Sequence, residues 1–269
     1  MDWNKTKSIF IIVFLVLDIF LLTIFMDKIR ASNPDTIVQT SFEETLKAAK
    51  ITYPQKLSKE PIKDAYIRVT TKKISEKDLG KIKNQEVKTV NDNTINAILK
   101  EPISISEDFS PAELKDFLKE NIINGEQYSF WKYSKEDQTL VYYQTYNDRK
   151  IFNNENGKLI LYLNSEREIV SYKQTLLENI KESTGKKSLV TPFDALRFLV
   201  ENNEIANGSK IVDVPSLCYT TFVPIDDYQV LAPTWHFIVE KEGKKEDLFI
   251  NAVEAQIVKV TEPDKETLE

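Results

Sequence analysis

Apolar residues crowd the first thirty positions as they do nowhere else in the chain. Ser8 to Met26 reads SIFIIVFLVLDIFLLTIFM, nineteen residues interrupted only by Asp18 and by the hydroxyls of Ser8 and Thr23. As a helix this run rises ~28 Å, close to the ~30 Å of hydrocarbon in a bilayer. A helix apolar on every face has no side to offer water, so the pattern predicts one transmembrane anchor over 8–26. Asp18 costs ~2.5–3.5 kcal/mol at the centre of such a span. Fifteen Ile, Leu, Phe and Val residues surround it, each returning roughly 0.3–0.6 kcal/mol near the centre. Insertion wins. A polar group in hydrocarbon needs a hydrogen-bond partner, which a single span finds only on another helix. Asp18, with Ile11, Phe14, Leu15, Leu21, Leu22 and Phe25 one or two turns away on the same face, is the expected partner interface. The plainer account is a polar residue tolerated through water or a local defect in the bilayer.

The flanks do not orient the span by charge. Lys5 and Lys7 precede it and Lys28 and Arg30 follow, a tie on the positive-inside count. The free α-amine favours residues 1–7 as a cytoplasmic tail, with the remainder on the far side. The apolar run exceeds a signal-peptide h-region, and Asp27–Ala31 offers no A-x-A-like cleavage site. An uncleaved anchor is expected, followed by a juxtamembrane linker over 27–35 that Asn33-Pro34 closes.

Beyond the anchor the pattern alternates between helical and strand periods. Ser110-Pro111-Ala112-Glu113 and Thr191-Pro192-Phe193-Asp194 share one helix-start recipe: a hydroxyl cap, proline at the first position, and an acid complementing the exposed amides. The match continues at the same offset with Phe117-Leu118 against Phe198-Leu199, after which Asn124-Gly125 and Asn207-Gly208 supply the stops. Strand-like segments follow each helix, over 127–134, 139–146, 158–163 and 168–172, then over 210–214, 218–223, 235–240, 247–251 and 256–260. This predicts an α+β protein in which a helix-plus-sheet unit over 109–180 recurs as a second over 189–262, joined by the polar stretch 181–188. Upstream, 36–108 reads as a further α+β portion with a helix over 40–50 capped by Thr40 or Ser41, and strands over 65–73, 86–90 and 94–99. Residues 263–269 form a polar tail.

Composition narrows the function. With 41% apolar and 29% charged residues and a formal charge of −6, the chain supports packed domains but argues against nucleic acid as a ligand. One cysteine, Cys218, precludes an internal disulfide, and six glycines leave no glycine-rich phosphate loop. His236 is the sole histidine, so zinc sites lack ligands; it reads as an edge-strand or partly buried side chain. Glu107-Asp108 and Asp226-Asp227 read as solvated turns, since adjacent acids match neither a calcium loop nor a glycosidase pair. Trp131 and Trp235 are expected to fill the two cores. No catalytic, cofactor-binding or metal residue is expected.

The opening Met1-Asp2-Trp3-Asn4-Lys5-Thr6-Lys7, running into Leu17-Asp18-Ile19-Phe20-Leu21, resembles the start of the YycI (WalI) family. The resemblance implies a bitopic, non-enzymatic regulator of a WalK-like (YycG-like) sensor histidine kinase. It implies a YycH-like sister protein as partner, transmembrane contacts with the kinase, and control of cell-wall homeostasis. Pro233, Trp235, Asn251-Ala252 and Ile257-Val258 more weakly resemble the strand-rich end of PepSY-type domains. That leaves an anchored ligand-binding or protease-inhibiting module as the alternative, and a carboxylate-dependent hydrolase as a third class.

Overall fold

In a computed structural model the protein is described over residues 3–31, 36–80, 82–224 and 228–259. Residues 1–2, Asn33-Pro34, Asp226-Asp227, Val260 and the polar tail lie outside the described residues. The fold is mixed α+β and mostly sheet. Five α-helices are described: α1 (Trp3–Ala31), α2 (Thr36–Ala48), the single turn α3 (Glu76–Leu79), α4 (Lys115–Asn121) and α5 (Pro192–Glu201).

Both repeated helix starts behave as their residues dictate. At α5, the Asp194 amide donates to Thr191 Oγ1 at 3.1 Å and the Thr191 hydroxyl donates to Asp194 Oδ2 at 2.7 Å, satisfying an amide the helix leaves unpaired. Before α4, the Ser110 amide donates to Glu113 Oε1 at 2.8 Å. Its first turn, Pro111–Leu114, is a 3₁₀ turn before the α-helix begins. After α4, Asn124 takes φ 51° and Gly125 passes so close that an added Cβ would lie 1.8 Å from the Leu118 carbonyl oxygen. After α5 the left-handed stop is Asn203, at φ 60°, earlier than Asn207-Gly208. Helix α2 spans Thr36–Ala48, so Thr40 and Ser41 lie within it rather than capping it.

The strands form two antiparallel sheets whose neighbours are often not consecutive in the chain. In the first, β3 (Gln85–Val90), β4 (Thr94–Ser104), β9 (Glu168–Thr175), β8 (Lys158–Leu163), β6 (Thr139–Tyr146) and β5 (Tyr128–Ser134) lie side by side. In the second, the long β14 (Gln229–Lys241) is central. On one edge it pairs β13 (Ser216–Pro224) and β12 (Lys210–Ile211). On the other it pairs β15 (Lys244–Asn251), followed by β16 (Gln256–Val258), and β2 (Ile67–Thr71), followed by β10 (Leu177–Glu182). Strands β1 (Lys63–Asp64) and β11 (Lys187–Ser188) make a separate two-stranded pair. The sheets are continuous through β7 (Arg149–Phe152), which follows β6 and pairs in parallel with β13 through Ile151↔Tyr219 and Phe152↔Thr220.

Alternation along each strand assigns the cores. Leu140 and Tyr142 of β6, with Leu159, Leu161, Ile95 and Tyr172, pack beneath α4. Trp235, Phe237 and Val239 of β14, with Leu248 and Ile250, pack against Phe193, Leu196 and Leu199 of α5 and Phe42 and Leu46 of α2. Residues 36–108 thus divide between bodies: α2 joins the α5 core, β2 lies beside β14, and β3–β4 extend the first sheet. The polar stretch 181–188 is partly strand, because Lys181 and Glu182 pair with Arg68 and Ile67.

Candidate functional site

Helix α1 carries all the residues expected to meet a partner. A 29-residue helix places Asp18 on one face with Ile11, Phe14, Leu15, Leu21, Leu22 and Phe25, because three-, four- and seven-residue steps return to the same side. Every residue from Phe10 to Met26 is exposed, those six being 53–65% accessible. The structure therefore brings the expected interface together while leaving it uncovered by the chain's own fold. An apolar surface of this extent marks a contact with lipid or protein. Thr23 returns its hydroxyl to the Phe20 carbonyl at 2.7 Å. Among the described residues no helix is long and apolar enough to cross a membrane.

A second concentration of functional groups lies where the two sheets meet. Side chains on the faces turned away from α4 and α5 converge there: Tyr143, Phe152, Cys218 and Phe249 are buried, with Trp131 beside them. Phe152 is central, with ring centroids 4.5 Å from Trp131, 5.3 Å from Tyr143 and 5.2 Å from Phe249. Trp131 departs from expectation. Alternation turns it from Phe130, which faces the α4 core, and the bulge between Phe130 and Lys132 returns Tyr133 to that core. Trp235 does fill its core, its indole N–H donating to the Val190 carbonyl at 2.9 Å.

His236 is buried on the middle strand β14, not on an edge. It stacks on Phe249 at 4.7 Å, and its Nε2 lies 2.7 Å from Asp247 Oδ1. Cys218 sits within the same seam, its thiol donating to the Thr234 carbonyl at 3.2 Å, and burial pushes its pKa up. Lys150, whose Nζ is 5.8 Å from both the Trp131 and Phe152 rings, is shifted down by the same desolvation. A thiol held protonated is a poor nucleophile, so the seam reads as packing with its polar groups paired. Among the described residues no cluster of His, Cys, Asp and Glu is arranged to hold a metal ion. Glu107-Asp108 forms an exposed turn, as the sequence implies.

A cleft of ≈ 380 Å³ opens beside α2, lined by Ile51, Leu57 and Phe193 and by Glu43 and Lys59. These two charges pair with each other at 2.8 Å, and the ammonium lies 4.5 Å from the Phe193 ring centroid.

Buried phenols give the folded part a sharp alkaline limit. Tyr143 and Tyr219 are pushed up to about 12, by burial first and then by the carboxylates of Glu155 and Asp64 respectively. Burial raises Tyr128, Tyr142 and Tyr172 as well. A phenol with a higher pKa folded than unfolded stabilises the fold while it stays protonated. That contribution is complete below the unfolded value of ~10 and is lost as pH climbs through about 12. Stability is expected to be flat on this account to about pH 9 and to fall steeply from ~10 upward. Tyrosinate absorbance should rise together with loss of the circular dichroism signal. All tyrosines titrating near their free value with the fold intact would refute it.

An α+β body that leaves a long apolar helix face uncovered defines a class: a protein with a surface for contact with lipid or another protein. Residues 31–253 match the family model of the YycI protein. The chain belongs to the YycI family, a family of regulatory proteins of the WalK two-component system. Among solved structures it is similar to an uncharacterized protein from Eubacterium rectale, with 9% identity and TM-score 0.47, covering 79% of this chain and 91% of that one. It is also similar to the Bacillus megaterium YpeB C-terminal domain, with 13% identity and TM-score 0.39, covering 86% and 99%. A comparison with curated proteins returned no significant match.

Proposed function

We propose that the protein is a membrane-anchored, non-enzymatic regulator of a WalK-like sensor histidine kinase, acting beside a YycH-like partner in control of cell-wall homeostasis. The observation that carries this reading is the stretch of α1 from Phe10 to Met26: apolar all round, exposed at every position, with Asp18 its one carboxylate. In this reading 8–26 is the span, 1–7 lies in the cytoplasm, and the α+β body works on the outer side. A helix presenting Asp18 differently to two signalling states of the kinase shifts their populations by its difference in affinity. The matching caps of α4 and α5, each over its own sheet, support a pseudo-repeat of helix-plus-sheet units over 109–180 and 189–262, of PepSY-like kind.

The test is in-membrane crosslinking from Leu17 and Ile19, which flank Asp18, in cells making the full-length protein. A photoreactive residue at either position is expected to capture the kinase or the sister regulator. Labelled lipid as the sole product at both positions would overturn the assignment.

A further inference from the structure

A cleft of ≈ 360 Å³ lies where β10 meets the end of β6. Five carboxamides converge on it, from Asn124, Gln127, Gln144, Asn147 and Asn179. Gln144 is spent on the fold. It accepts from the Leu177 amide at 2.7 Å and donates to the Leu177 carbonyl at 2.9 Å, as a neighbouring strand would. Gln127 Oε1 receives the other Gln144 N–H at 3.1 Å, and Asn179 donates to Thr70 Oγ1 at 3.1 Å. Asn124 and Asn147 are exposed at the cleft, and among the described residues no hydrogen bond engages either carboxamide. Asn124, Asn147 and Asn179 all take left-handed backbone, at φ 51°, 49° and 54°. Asparagine tolerates that conformation, but glycine would serve the backbone alone as well.

Charge and shape narrow the ligand. The only ionic groups in the lining are Lys72 and Glu178, and Lys72 Nζ lies 3.5 Å from both Glu178 Oε2 and Asp78 Oδ2. The cleft therefore offers no unpaired cation to an anion. Carboxamides both donate and accept, which suits a neutral ligand dense in hydroxyl or acetamide groups. The half-buried Tyr146 ring and Ile180 side chain add apolar lining for the C–H faces of such a ligand. The volume falls in the ~300–1,000 Å³ range of small-molecule sites. We infer that this cleft binds an uncharged oligosaccharide, held by the carboxamides of Asn124, Gln127 and Asn147 and by the Tyr146 ring. This site is separate from α1 and does not depend on the kinase assignment.

The experiment is isothermal titration of the purified full-length protein in a detergent without a sugar headgroup. The probes are tri-N-acetylchitotriose, maltotriose and the neutral peptide acetyl-Gly-Ser-Gly-amide. At least one sugar is expected to bind at concentrations up to ~10 mM, which detects a dissociation constant near 1 mM. Preference between the two sugars identifies whether acetamide or hydroxyl groups are read. Asn124→Gly and Asn147→Gly preserve the left-handed backbone while removing the carboxamide, and each is expected to weaken binding roughly fivefold. Should these fold poorly, Gln127→Glu keeps the acceptor for Gln144 and removes the free N–H donor, with the same expected loss. Failure of both sugars to bind, binding unaffected by these substitutions, or equal binding of the peptide would each overturn the assignment.

Discussion

On the proposed assignment, Asp18→Leu is expected to seat the protein more firmly in the membrane and to bind it less firmly to the proposed sensor kinase. The two effects have separate causes. Removing a central acid relieves an insertion penalty of ~2.5–3.5 kcal/mol. Losing one interhelical hydrogen bond costs ~0.6–2 kcal/mol of association, a roughly 3- to 30-fold weakening. Carbonate extraction and co-purification from the same membranes should therefore move in opposite directions. Asp18→Asn keeps a hydrogen-bonding group of the same shape and should retain most of the association. An acid merely tolerated in lipid would change extraction alone, and expression of the kinase's target genes would match the wild type. Co-purification undiminished in Asp18→Leu would remove the residue from the interface.

The second large effect is expected in the seam. Phe152 is 3% exposed and touches rings from β5, β6, β14 and β15 at once, with His236 at 5.2 Å completing the set. Phe152→Ala should cost ~3–5 kcal/mol, the usual range for emptying a buried aromatic site. For a folded part of this size that lowers the melting midpoint by roughly 10 °C. Phe152→Leu, which refills much of the volume, should recover about half. Calorimetry on the two variants decides the matter; a shift of only a degree or two for the alanine would show that the two sheets are held by backbone pairing alone.

How far the chain could be read before folding follows the range of each interaction. The caps at Ser110-Pro111 and Thr191-Pro192 are local: α5 begins at the second, and at the first a 3₁₀ turn leads into α4. Strands with β-branched or aromatic character, such as 139–146 and 158–163, fall within their expected bounds because alternation is a property of neighbours. Strand β7 was not legible, although Asn147-Asp148, both left-handed at φ 49° and 60°, is a hairpin signal that points to it. The pairing of Ile151 with Tyr219 leaves no periodic trace, since it joins residues far apart in sequence. Without it His236 looks like an edge residue, and Trp131 like core beneath α4. That Asp18 shares one face of α1 with Ile11, Phe14, Leu15, Leu21, Leu22 and Phe25 was legible because a helix face follows from spacing alone. The carboxamide cleft was not, because asparagines at turns are read first as turn formers, and only the fold gathers Asn124, Asn147 and Asn179 in one place.

Chain order and spatial order part company at α2. The helix that follows α1 lies with Phe42 against Phe193 at 5.4 Å, among residues from the last third of the sequence. A load applied at the root of the molecule is thus borne first by its tail end. It reaches the middle of the chain through β2 and β10, which runs straight on from β9, and sideways across a two-rung ladder and a stack of rings. Loosening that crossing would leave the β9–β10 run and its pairing with β2 to tie the sheet beneath α4 to the α5 body.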